Sequence, residues 1–140
     1  MSEGKVGGVV VAHGSMAAGL VEAVRAITGS DADALIPISN ARLSPAALAD
    51  QVRSACGTMP VIVFTDLPSG SCGFAARLLT REIGSMAVIC GVNLPMLLDY
   101  VTHRDLPLDE LVARLVEKGR ASINGTPSSI APNVDPAVPR

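Results

Sequence analysis

Aromatic residues are nearly absent: 140 residues contain no Trp, one Tyr and two Phe. Stacking recognition of bases or sugars needs aromatic faces, so such a platform is excluded. A basic excess is missing too. Eleven Lys and Arg face 13 Asp and Glu, a formal net charge of -2, which leaves no electrostatic footprint for nucleic acid or an acidic membrane surface. Cysteine is scarce: Cys56, Cys72 and Cys90 are odd in number and well separated. That spacing argues against a disulfide framework and a CxxC metal clip, and it fits a reducing compartment. No apolar run reaches the ~20 residues of a membrane span, and the N-terminus lacks the layout of a signal peptide. The expectation is a soluble, cytoplasmic protein with no metal and no cofactor.

What the chain does have is apolar content, 49%, enough to bury a core in one domain. Mostly β-branched runs at 6–12, 34–39, 61–65 and 86–92 predict strands buried on both faces. Helical patterns lie between them, carried by Leu20, Val24 and Ile27, by Leu48 and Val52, and by Phe74, Leu78 and Leu79. Ser44-Pro45 predicts a helix start, and Gly29, Gly57 and Gly84 predict helix stops. Two more helices follow at 94–102 and 108–120. Alternation of strand and helix implies an α/β fold: one open, mainly parallel sheet with helices on both faces. Residues 125–140 carry four prolines among small and polar residues and predict a flexible tail after a folded domain at 1–124.

In such a sheet ligands bind beyond the carboxyl ends of the strands, where strand order reverses. With the order 2-1-3-4, strands one and three meet at that point. Their ends carry His13-Gly14-Ser15 and Asp66-Leu67-Pro68-Ser69-Gly70-Ser71. Two helices would open into one crevice there, and their free backbone N–H groups suit an anion such as phosphate. Gly14, Ser71 and Cys72 are the candidate phosphate-binding residues. A neutral imidazole between such donors can attack phosphorus, and a carboxylate on its other nitrogen fixes the tautomer and stabilises the cation that forms. His13 is the candidate nucleophile and Asp66 its orienting partner.

Plainer roles compete. His13 could simply bond a loop carbonyl, and Asp66 could be a turn or cap residue. Gly70 and Gly73 could serve close helix packing. His103 fits the end of a helix dipole. The cysteines fit small buried hydrophobes, although Cys72 near a helix start could have a lowered thiol pKa. Ser71, Asp99 and His103 occur in the order of a serine hydrolase, but Ser69 replaces the first glycine of the G-x-S-x-G elbow. No phosphate-loop or G-x-G-x-x-G motif supports a nucleotide-binding module.

Three segments in order, GGVVVAHGSMAAGLVEAV, VIVFTDLPSGSCGFAARLL and VICGVNLPMLLDYV, resemble the enzyme IIA component of the mannose/fructose/sorbose family of the bacterial sugar phosphotransferase system. The resemblance spans about residues 5–120. It implies that His13 accepts phosphate from the histidine-phosphocarrier protein and passes it to a IIB protein. Asp66 would bond the imidazole, Ser71 would be the loop serine, and Asn93-Leu94-Pro95-Met96 would shape the same end of the sheet. Family members are usually dimers, so a homodimer is implied, reaching the membrane only through the transporter complex. Leu67, Pro68 and Ser69 depart from the family's glycine-rich loop. The proline-bearing tail is a poor strand for exchange between protomers, and no IIB domain follows it. A regulatory role, in which phosphorylation controls a non-transport partner such as a dihydroxyacetone kinase assembly, is the alternative.

Overall fold

The computed structural model describes residues 4–29, 34–58 and 60–128. Residues 129–140, most of the expected tail, lie outside them; 125–128 are exposed and form no helix or strand. The elements run β1 (Gly7–Ala12), α1 (Met16–Thr28), β2 (Leu35–Ser39), α2 (Pro45–Cys56), β3 (Val61–Thr65), α3 (Gly70–Leu79), β4 (Met86–Cys90), α4 (Leu94–Thr102) and α5 (Leu108–Ala121). All three strand pairings are parallel and the order is β2-β1-β3-β4, as the sequence implies.

Parallel neighbours need long crossovers, and here the helices supply them on both faces. One face of the sheet packs against α1, α4 and α5 through Val10, Phe64, Val24, Leu97, Tyr100 and Leu111. The other packs against α2 and α3 through Val9, Val63, Leu48, Val52, Ala76 and Leu79. Thus α1 leaves β1 on one face and α3 leaves β3 on the other. Adjacent strands sending their chains to opposite faces open a crevice between their carboxyl ends.

Of the four strands β3 is buried throughout and β1 from Gly8 onward. In β2, an edge strand, Ile36 and Pro37 are exposed, and β4 at the other edge is only partly covered. Pro37 is tolerated because an edge strand has a free hydrogen-bonding side. β4 stops at Cys90, two residues before the expected end. There Gly91 turns at φ 79° and the N–H groups of Gly91 and Val92 both donate to the Thr65 carbonyl.

Helix starts follow their caps. Ser44 Oγ accepts from Ala47 N–H and Asn93 Oδ1 from Met96 N–H, each at 3.1 Å with a proline in the first turn. Gly29 and Gly57 end α1 and α2 as expected, but α3 ends at Leu79, well before Gly84. Three side chains expected in the core lie outside it. Ile27, Phe74 and Leu78 are exposed, while α3 turns Cys72, Gly73, Ala75, Ala76 and Leu79 inward. Phe74 and Leu78 are four residues apart and share one face, and that face is turned away from the sheet. Apart from Leu79 the inward face carries small residues, and at Gly73 α3 comes close to the chain before it: a Cβ there would lie 2.6 Å from the Pro68 carbonyl oxygen.

At the amino end of the sheet Tyr100 is fully buried and donates its hydroxyl to the Val6 carbonyl at 2.8 Å. Burial pushes its phenol up to about 12 against the opposing influence of Arg104. Its ring meets Phe64 edge to face at 5.5 Å, a favoured aromatic geometry.

Candidate active site

Three neighbouring strands deliver the site. His13 directly follows β1, Asp66 follows β3 and Asn40 follows β2, so the order β2-β1-β3 sets these side chains around one end of the sheet. The Asp66 carboxylate grips His13 twice: Oδ2 accepts the backbone N–H at 2.9 Å and lies 2.6 Å from the ring Nδ1. Its other oxygen accepts from Leu67 N–H at 2.9 Å. The Asp66 side chain is only 9% exposed, whereas that of His13 is 47% exposed. Burial by itself would raise the Asp66 carboxyl, but the His13 backbone and ring donors, the ring's charge and the Leu67 amide outweigh it. The result lies below the usual carboxylate value.

An ionised carboxylate can only accept, so the proton between the pair belongs to Nδ1. In the neutral ring Nε2 then carries the lone pair, and it makes no hydrogen bond among the described residues. Gly70 is the adjacent backbone; a Cβ there would stand 3.9 Å from Nε2. Gly70 has φ 83° and Gly14 φ 58°, both left-handed, so the chain turns tightly on either side of the imidazole.

The candidate phosphate donors occupy this end of the fold in three different states. Ser71, at the start of α3, is partly exposed and its Oγ accepts from Asn40 Nδ2 at 3.3 Å. Gly14 N–H faces Asn40 Oδ1 at 3.4 Å. Cys72 is fully buried, its Sγ 4.0 Å from His13 Nδ1. Its thiol is pushed up, first by burial and then by the Asp66 charge, which reverses the lowered value expected from its place at a helix start.

His13, Asp66 and Cys72 offer ligand atoms within 4.8 Å of one another. Two ligands on a tetrahedral zinc with bonds of about 2 Å stand roughly 3.3 Å apart. The 2.6 Å between Nδ1 and Oδ2 instead fits a hydrogen bond closed by one proton.

The hydrolase grouping is not assembled. Ser71 lies on α3, while Asp99 and His103 lie along and just after α4, on the other face of the sheet. Asp99 pairs with Arg114 at 2.9 Å and with His103 at 3.3 Å. The next residue, Arg104, donates to the Val6 carbonyl at the amino end of the sheet. Asn93 works as a cap and brace, donating to the Gly119 carbonyl at 3.1 Å and tying α4 to α5. Asn40 is the site residue that sequence reasoning missed. The strand order was its signal: if β2 borders β1, the residue after β2 reaches the same crevice.

The family described as PTS system fructose IIA component matches residues 7–116. The chain belongs to that family. It is therefore a IIA component of the phosphotransferase system, a family with phosphotransferase activity in general whose members interact with the histidine-phosphocarrier and IIB proteins. Among solved structures, the mannose/sorbose-specific IIA subunit of Enterococcus faecalis is 23% identical with a TM-score of 0.79. That match covers 88% of this chain and 96% of that one. The IIA component of Streptococcus agalactiae is 24% identical at the same TM-score, covering 86% and 96%. A IIA protein associated with the fucose utilization operon of Streptococcus pneumoniae is 21% identical at 0.65, covering 89% and 96%. At these identities the likeness speaks for the fold. No curated protein sequence matches the chain. No helix among the described residues is long and apolar enough to cross a membrane.

Proposed function

We propose that this IIA component carries phosphate on His13, taking it from the histidine-phosphocarrier protein and handing it to a IIB protein for sugar uptake. The observation that carries this reading is the 2.6 Å bond between Nδ1 and Asp66, which leaves Nε2 as the free nucleophile on a half-exposed ring. The Nε2 lone pair attacks phosphorus in line, the Nε2–P bond forms, and the N–P bond of the donor's phosphohistidine breaks. The proton on Nδ1 stays with the ring, and Asp66 balances the imidazolium that results. The reverse displacement by a nucleophile on the IIB protein regenerates neutral His13. Ser71 and the amides of Gly14 and Cys72 are the donors for the phosphoryl oxygens, the Gly14 amide sharing its long 3.4 Å contact with Asn40 Oδ1. No metal and no cofactor enters the step.

The protein would work in the cytoplasm as a homodimer and reach the membrane only through the transporter complex. Incubation with phosphoenolpyruvate and the general proteins of the system should give an acid-labile, base-stable label on the chain. His13→Ala should abolish it. A label of equal size on folded His13→Ala would refute the reading.

A further inference from the structure

Asn40 connects two parts of the site that the sequence leaves 57 positions apart, the turn after β1 and the first turn of α3. Its own backbone is fixed, since its N–H donates to the Ala12 carbonyl at 3.1 Å and its carbonyl accepts from Leu43 N–H at 3.2 Å. The orientation of the side-chain amide is also determined. Gly14 N–H can only donate, so the atom facing it at 3.4 Å is Oδ1, and Nδ2 is left to face Ser71 Oγ at 3.3 Å.

That polarity has a chemical consequence. A serine hydroxyl holds one donor hydrogen and two acceptor lone pairs. Because Nδ2 can only donate, it occupies a lone pair of Ser71 Oγ and does not consume the hydroxyl hydrogen, whose neighbouring acceptor in the unphosphorylated protein is the Cys72 sulfur. We propose that Asn40 is a positioning residue for phosphoryl transfer, acting through Ser71 by holding its hydroxyl as a hydrogen-bond donor toward the phosphoryl oxygens. This rests on the phosphocarrier reading of the same site. The Asn40 side chain is partly buried, so the brace is held by its neighbours rather than by solvent. Preorganised donors of this kind stabilise the charge that develops on the transferred group.

A double-mutant cycle separates this role from a merely structural one. The initial rate of label uptake from the phosphorylated histidine-phosphocarrier protein is measured for the wild type, Asn40→Ala, Ser71→Ala and the double variant. Each single change should slow uptake by on the order of tenfold, and the double variant should be no slower than Ser71→Ala. Multiplying effects, or a wild-type rate for Asn40→Ala, would overturn the proposal. Asn40→Asp adds a sharper contrast, because its second oxygen must accept from Ser71 and turn the hydroxyl away from phosphate. It should be slower than Asn40→Ala. Equal or faster uptake contradicts the stated polarity.

Failure of the parent reading is visible on its own as a wild type that takes no label. The brace is tested independently in the unphosphorylated protein. The amide resonance of Gly14 and the β-carbon resonance of Ser71 should both move in Asn40→Ala. Unmoved resonances refute it whether or not the chain takes phosphate.

Discussion

Asp66 Oδ2 holds His13 through both its backbone N–H, at 2.9 Å, and its ring Nδ1, at 2.6 Å. One oxygen thus fixes the position of the residue and the tautomer of its ring. Asp66→Ala should slow phosphoryl uptake by about a hundredfold with little loss of fold. Asp66→Asn should be at least as slow, because its amide can donate to Nδ1 and transfer the ring proton to Nε2. Rapid-quench uptake checks both, and an unchanged rate in either variant removes Asp66 from the mechanism.

The same pair sets a pH dependence of stability. Burial opposes ionisation of Asp66, but its hydrogen bonds and the His13 charge prevail, so its folded-state value lies below the unfolded one near ~3.9. The stability it contributes is therefore present above the unfolded value and lost as pH falls through the folded one. Urea midpoints from about pH 6 to about pH 2.5 should fall more steeply for the wild type than for Asp66→Asn. Parallel curves would show that the carboxylate is not held by these donors.

Gly73 permits the approach of α3 to the loop after β3. A Cβ would meet backbone at 2.6 Å from the Pro68 oxygen and 2.9 Å from the Leu67 oxygen, atoms that cannot swing aside. Gly73→Ala should cost about 1–3 kcal/mol and slow uptake as well, because the displaced loop joins Asp66 to Ser71. Thermal melting and uptake rates check it; wild-type values for both would contradict it.

Gly8 tests the opposite end of the sheet. An added Cβ would stand 2.8 Å from the Tyr100 hydroxyl and 2.9 Å from its Cζ, and that ring is fully buried with its hydroxyl bonded to the Val6 carbonyl. Gly8→Ala should cost a similar ~1–3 kcal/mol while the folded fraction keeps its uptake rate. A loss of rate beyond the loss of folded protein would mean that the two ends are coupled.

The backbone plan was legible because β-branched runs, caps and glycines report local preference, and a parallel sheet follows from their alternation. His13 and Asp66 were legible for the same reason, since strand order alone brings β1 and β3 together. Local signals could not say which side of α3 faces the sheet. Phe74 and Leu78 follow helical spacing, yet Gly73 and Ala76 lie on the inward face, and at Gly73 the Pro68 carbonyl leaves no room for a larger residue. Asn40 escaped notice because a lone asparagine after an edge strand looks like a turn residue until its partners are seen across the crevice. The raised Cys72 thiol was hidden likewise: burial and a nearby carboxylate, both tertiary, outweigh the helix start.

The most direct measurement is the position of the phosphoryl group on the labelled protein, read by phosphorus–proton NMR correlation and by mass spectrometry of the peptide containing residue 13. The account predicts a single phosphohistidine, bonded through Nε2 of His13. Phosphate on Nδ1, or on Ser71 or Cys72 in place of the ring, would contradict it.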